Sequence, residues 1–182
     1  MTHILRSAAL LLCCTSMPVL SDPTPTYPMV VGVLEMSGQI TAPACVLDTG
    51  SASQAVIMGA VSSNDFSGAG SDGAPVPFFL QLDNCETSTE QLARISLRGD
   101  IDAHNPQLLR TYSDSSAVAM GVGIAIFDAS NHLLIPDGSD MSQARLQDGV
   151  TRIGFTARYR ATLPEVSGGE ANAIAWFTVN YQ

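Results

Sequence analysis

Ala173, Ala175, Phe177, Val179 and Tyr181 alternate with Asn172, Ile174, Trp176, Thr178 and Asn180. This is the period-2 signature of a sheet strand with one buried face. The expected strand, residues 172–182, closes the chain, so no later residue is expected to pair with one of its edges. A second apolar stretch, Met29 to Met36, precedes what reads as the first strand of the domain. An unpaired place at one end and a spare strand at the other would let such chains join head to tail.

At 182 residues the chain has room for one domain plus appendages. An apolar fraction of 46% with 14% charged residues supports a packed core and argues against disorder. The formal charge of −9 and the absence of lysine speak against a nucleic-acid partner, which would demand clustered cations. Residues 1–21 read as a signal peptide: Arg6 ends a short cationic segment, Ser7 to Leu20 is apolar, and Val19-Leu20-Ser21 suits a signal peptidase. The apolar run is too short, and too broken by Thr15, Ser16 and Pro18, to span a bilayer. Leu10-Leu11-Leu12 ahead of Cys13 lacks the small residue expected before a lipidated cysteine. The mature chain is expected to start at Asp22.

Cys45 and Cys85 then remain, and an even pair in an exported chain reads as a disulfide. Closing a loop of about 40 residues stabilises a fold by roughly 4 kcal/mol in the chain-entropy view. The rival reading, a metal site, would need more ligands than two cysteines with no nearby histidine supply.

Asp22 to Pro28 carries three prolines and is expected to be extended and solvated. Gln39 to Cys45 reads as the first strand of the domain, and Gln54 to Met58 as a short second one after a turn at Asp48 to Ser51. Val76, Phe78, Leu80 and Leu82 alternate up to Cys85, and Ile95 and Leu97 mark another strand. Ala117 to Phe127 reads as the clearest central strand, with Val118, Met120, Val122, Ile124 and Ile126 on one face. Ile153, Phe155, Ala157 and Tyr159 alternate with residues that include Arg152, Arg158 and Arg160, which places the arginines on an exposed face. The nearest approach to a helix is Ser142 to Gln147. Short strands separated by turns indicate an antiparallel β-sandwich. A true immunoglobulin domain would carry a tryptophan between its cysteines, whereas the single tryptophan here is Trp176.

No enzymatic constellation stands out. Asp100, Asp102 and His104 sit at period 2 and suit a solvated strand-to-loop edge better than a metal site. His132 has no evident partner, no serine lies in G-x-S-x-G, and Asp137 to Asp140 lacks the further ligands of a calcium loop. No cofactor or metal is expected.

Four segments together resemble the chaperone–usher fimbrial subunits of the type 1 pilin family. Gly38-Gln-Ile-Thr-Ala-Pro-Ala-Cys45 is similar to the family's first strand, which opens on glycine and closes on the first cysteine. Val76-Pro-Phe-Phe-Leu-Gln-Leu-Asp-Asn-Cys85 resembles the strand leading to the second. Gly121-Val-Gly-Ile-Ala-Ile-Phe-Asp128 resembles a G-V-G-I-x-I-x-D strand. Gly169-Glu-Ala-Asn-Ala, followed by Ala175-x-Phe177-x-Val179-x-Tyr181, resembles the closing pattern with its penultimate tyrosine. The proline-rich start and the absence of lysine depart from the family's habit.

The resemblance implies an all-β, incomplete immunoglobulin-like sandwich that lacks its last strand and is completed by a donor strand from a neighbouring subunit. It implies an N-terminal donor extension over residues 22–37 and a pilin domain over 38–182. Val30, Gly32, Leu34 and Met36 are the expected donor residues, because that register keeps Glu35 unburied and puts a small residue at one donor position. Ala175, Phe177, Val179 and Tyr181 are the expected acceptor groove and chaperone edge. The implied partners are a periplasmic fimbrial chaperone, an outer-membrane usher and neighbouring pilins. The implied product is a structural, non-enzymatic subunit of an adhesive cell-surface fimbrium on a Gram-negative bacterium. The alternative is a minor tip or adaptor pilin, or a single-domain carbohydrate-binding sandwich.

Overall fold

Eight antiparallel strands arrange into two sheets in the computed structural model, which describes residues 37, 44–88, 90–114 and 117–182. The expected signal peptide, the donor extension and the start of the expected first strand lie outside the described residues. All the elements fall in one compact unit, Ile40–Gln182. The larger sheet contains β1 (Val46–Leu47), β2 (Val76–Cys85), β4 (Leu109–Arg110), β5 (Val122–Asp128) and β7 (Gly149–Ala161), in the order β1-β2-β7-β5-β4. The smaller contains β3 (Leu92–Gly99), β6 (Ser142–Arg145) and β8 (Ala175–Tyr181), in the order β6-β3-β8.

The period-2 pattern decides which faces meet. Leu80 and Leu82 of β2, Ile153, Phe155 and Ala157 of β7, and Ile124 and Ile126 of β5 form the inner face of the larger sheet. Ala93, Ile95 and Leu97 of β3 oppose them from the smaller one. Phe177, Val179 and Tyr181 of β8 extend that second face and pack on the same cluster. Phe78 and Phe155, opposite one another in the β2–β7 ladder, stack with ring centroids 5.5 Å apart. Burying such side chains contributes about 1.5–3 kcal/mol each.

Cys45 and Cys85 form a disulfide across 40 residues, as the even cysteine count implied. It ties the chain just before β1 to the end of β2, where the ladder shifts register between Leu82 and Cys85 and Asn84 turns to φ 52°. Asparagine tolerates that left-handed conformation better than most side chains.

Four local expectations are revised. Ala117 to Phe127 is not one strand: β5 begins at Val122, because Gly121 sits at φ +74° and breaks the extended run. Met120 is accordingly 64% exposed rather than buried beside Ile124. Ser142 to Arg145 is a strand, since Ser142 and Ala144 pair with Ile95 and Ala93 of β3 and tertiary pairing overrides a weak helical pattern. Gln54 to Met58 forms no strand and has no ladder partner among the described residues; ahead of it, Asp48 caps a one-turn helix, Thr49–Ala52 (α1), through the Ser51 amide.

The fourth revision concerns the arginines of β7, which are not simply solvated. Arg158 and Arg160 lie over the ring of Phe127 at 5.1 and 5.3 Å and both reach Asp72, Arg160 Nη2 at 2.8 Å. The hydrogen bond from Arg160 holds the Asp72 carboxyl below its ordinary 3.8, against the opposing effect of burial. Its stabilisation is therefore fully present above that value and is lost as pH falls through the lower folded value. Asp72→Asn should lower the melting temperature at neutral pH, and the gap to the wild type should narrow as pH falls below 3.8 and close once Asp72 is protonated in the folded protein. A gap that stayed constant down to the lowest pH would contradict this role.

Candidate functional site

The inner faces of the two sheets do not close on each other along the whole sandwich. A groove of about 940 Å³ opens beside β8. Its floor is apolar: Phe78 and Leu80 of β2, Ile124 and Ile126 of β5, and Phe155 and Ala157 of β7. One wall is the stretch from Ala171 to Phe177, and the other is the strandless segment from Ser51 to Gly59.

Both walls carry backbone that no sheet uses among the described residues. β8 pairs with β3 from Ala175↔Gly99 to Tyr181↔Ala93 and stands at the edge of its sheet. Gln54 to Met58 faces it across the groove without a strand partner among the described residues. The free edge of β8 and the strandless segment facing it, unpaired with each other among the described residues and set above an apolar floor, form a template for an added strand. Ile57, 80% exposed, and Trp176, 62% exposed, stand at this opening.

The four residues expected on the acceptor edge share one face of β8. Ala175 and Phe177 line the groove, while Val179 and Tyr181 continue the face beyond it and pack on the core. Tyr181 also donates its hydroxyl to the Cys45 carbonyl at 3.3 Å, which couples the last strand to the disulfide. Burial raises the Tyr181 phenol above its ordinary pKa, so the hydroxyl stays protonated as a donor at physiological pH. The donor residues Val30, Gly32, Leu34 and Met36 lie outside the described residues.

Sequence reasoning missed the floor as a site, because Phe78, Ile124 and Phe155 carry the same alternation as any core position. The far wall had a signal: Val56 and Met58 alternate with exposed neighbours, which is why the segment reads as a strand although no described residue pairs with it. The acidic residues near His104 turn out to serve the loop. The Asp102 carboxylate accepts the His104 and Asn105 amides, and Asp100 pairs with Arg110 at 2.7 Å. Among the described residues no group of three or more metal-ligating side chains comes together.

With this geometry in place, comparison with known proteins is decisive. The sequence profile of the family described as "Fimbrial protein" matches residues 34–182. The chain belongs to the fimbrial protein family. It is 37% identical over 166 residues to a type 1 fimbrial subunit of Salmonella typhimurium, covering 90% of this chain and 89% of that one. A solved type I fimbria protein and antigen of Burkholderia pseudomallei shares 34% identity and a TM-score of 0.58, covering 78% of this chain and 91% of that one. A pilin from a chaperone–usher pilus, solved in a study of rod uncoiling, has the same fold at a TM-score of 0.64 with 24% identity, covering 87% of this chain and all of that one.

This fimbrial protein is thus a structural subunit with the immunoglobulin-like pilin fold, and its family consists of structural subunits rather than enzymes. Membership assigns it to a surface fimbrium of a Gram-negative bacterium. The carbohydrate-binding sandwich is not favoured, since the relatives are fimbrial subunits.

Proposed function

We propose that this subunit polymerises by donor-strand exchange, each groove receiving the N-terminal extension of the next subunit. In this reading residues 1–21 direct export to the periplasm and are removed, residues 22–37 are the donor extension, and residues 38–182 are the receiving sandwich. Val30, Gly32, Leu34 and Met36 enter the neighbour's groove, while Val31, Val33 and Glu35 turn outward. Before assembly a periplasmic chaperone lends a strand at the edge formed by Ala175, Phe177, Val179 and Tyr181, and an outer-membrane usher then directs the exchange.

The observation that carries the reading is the apolar groove between the free edge of β8 and a segment that has no strand partner among the described residues. A strand laid there would satisfy both walls and bury Val30, Leu34 and Met36, which contributes about 1.5–3 kcal/mol per side chain. Seven extended residues from Val30 to Met36 span about 23 Å at the rise of a strand.

The test is a subunit lacking residues 22–37, released from its chaperone in the presence of a synthetic peptide spanning Met29 to Ser37. A one-to-one complex with a clearly raised melting temperature is expected, together with protection of the Gln54–Met58 and β8 amides from hydrogen exchange. Binding that left those amides unprotected would place the peptide elsewhere and refute the proposal.

A further inference from the structure

Every described arginine lies within a strand, and four of them find partners inside the molecule. Asp72 and the Phe127 ring hold Arg158 and Arg160, Asp100 holds Arg110, and Gln81 with the Phe79 ring holds Arg152. Arg94, Arg98 and Arg145 remain, and register puts all three on the outer face of the β6-β3-β8 sheet. Ala93, Ile95 and Leu97 point into the core, so Arg94 and Arg98 point out. Gln143 lies opposite Arg94 and Arg145 opposite Leu92, which carries the same face onto β6. No aspartate or glutamate occurs in any of the three strands.

Arg94 and Arg145 are diagonal neighbours across the β3–β6 ladder, a separation of about 7–8 Å. Neither makes an ion pair among the described residues, so two like charges stand side by side with no carboxylate between them. Arg94 Nε is also buried without a hydrogen-bond partner, and an unmatched buried donor costs free energy. The side chain therefore gains from an acceptor supplied from outside. Arg98 stands four residues along β3, about 13 Å away at the rise of a strand, and bridges to Asp137 at the rim. What this face lacks is an anion, and the planar fork of arginine is the group that grips oxyanions through paired N–H bonds.

We propose that this face binds acidic polysaccharide, the arginines gripping sulfate or carboxylate groups along one sugar chain while neutral side chains between them bond its hydroxyls. The surroundings favour a sugar chain over an acidic peptide. Gln143, Thr178 and Asn180 are exposed on the same face, and each offers both donors and acceptors. Trp176, 62% exposed opposite Arg98, adds an aromatic face at one end. A subunit of net charge −9 repels polyanions as a whole, but a screening length of about 8 Å at physiological salt lets the acid-free face act locally. Each site is weak alone, whereas a fibre repeats it on every subunit and a long chain engages many at once. The inference goes beyond the donor-strand reading and needs only that the subunit build a fibre.

The test is binding of fibres assembled from the full chain, sheared to one length, to surfaces carrying heparin, alginate, neutral dextran or polyglutamate. Wild-type fibres should be held by heparin or alginate and pass over dextran and polyglutamate. They should elute at about 1 M salt, where the screening length shrinks to about 3 Å. Heparin carries sulfates and alginate carboxylates alone, so these two arms separate a sulfated chain from a polyuronate. Arg94→Gln with Arg145→Gln should weaken the apparent Kd by about tenfold or more, because avidity multiplies the loss at each site. Arg145→Gln alone, at an exposed position, should give a smaller loss in the same direction. Arg110→Gln with Arg152→Gln, the same change in charge on other surfaces, should bind like the wild type. Trp176 is left intact because it also borders the groove.

Fibre length in electron micrographs reports assembly and retention reports the arginine face, so the donor-strand reading and this one fail separately. Passage of wild-type fibres over both acidic polysaccharides would overturn the inference. Equal retention on polyglutamate would also overturn it, in favour of an acidic protein partner. So would undiminished retention of the Arg94→Gln, Arg145→Gln fibres or, where that pair fails to assemble, of the Arg145→Gln fibres.

Discussion

Fibres should fail to form, or should dissociate easily, when Gly32 is replaced by leucine, although the subunit carrying the change should fold and bind its chaperone normally. The asymmetry follows from where the residue acts. In the proposed register Gly32 packs into the neighbour's groove, over the floor formed by Phe78, Phe155 and Ile124. Forcing a larger side chain into a close-packed core costs about 1–3 kcal/mol, and a fibre repeats that cost at every junction. The subunit's own core, built from β2, β3, β5, β7 and β8, contains no part of the extension among its described members. Val31→Asn, one residue away and turned outward, should assemble. Normal assembly of Gly32→Leu with failure of Val31→Asn would shift the register by one and make Val31, Val33 and Glu35 the donor face. Fibre yield and resistance to denaturant are the readouts.

Removal of residues 175–182 should abolish folding as well as assembly. β8 covers the edge of β3 along seven Cα pairs, and without it the side chains of Ala93, Ile95 and Leu97 lose their cover on one flank. Phe177, Val179 and Tyr181 leave the core together, each contributing about 1.5–3 kcal/mol on full burial and less in their half-buried state. The Tyr181 hydroxyl no longer reaches the Cys45 carbonyl, and the Gln91 and Leu92 amides lose the Gln182 carbonyl. A loss of that size is comparable to the whole stability of a small domain, about 5–15 kcal/mol. The truncated chain should be degraded in the periplasm without chaperone capture. Tyr181→Phe keeps the ring and loses one hydrogen bond, about 1 kcal/mol, so it should accumulate and assemble. Periplasmic levels and chaperone co-purification distinguish the cases, and a truncated chain captured at wild-type levels would contradict the account.

The sequence made the sheet faces legible and left local breaks obscure, for physical reasons. Alternation in Val76 to Leu82, Ile153 to Tyr159 and Ala175 to Tyr181 reports burial on one side of a strand, and those strands are where the pattern placed them. Gly121 looked like one more small residue on a strand face. It sits at positive φ, and an added Cβ there would collide with the Glu165 carbonyl; a period-2 pattern carries no trace of either. Ser142 to Arg145 has little strand propensity of its own and becomes a strand because β3 offers it an edge. Gln54 to Met58 presents the opposite case, with strand-like alternation and no partner among the described residues. That mismatch between local pattern and available pairing marks the far wall of the groove. The aspartate that gathers Arg158 and Arg160 is separated from Arg160 by 88 residues, beyond any local pattern.

The most direct measurement of the central claim is a photo-crosslink from the extension in assembled fibres. Leu34 is replaced by a photoreactive residue in isotopically light subunits, which are polymerised with heavy ones, and the crosslinked peptides are identified by mass spectrometry. The account predicts light-to-heavy crosslinks at groove residues such as Phe78, Phe155 and Phe177. Crosslinks confined to a single chain, or falling on the outer faces of the sheets, would contradict it.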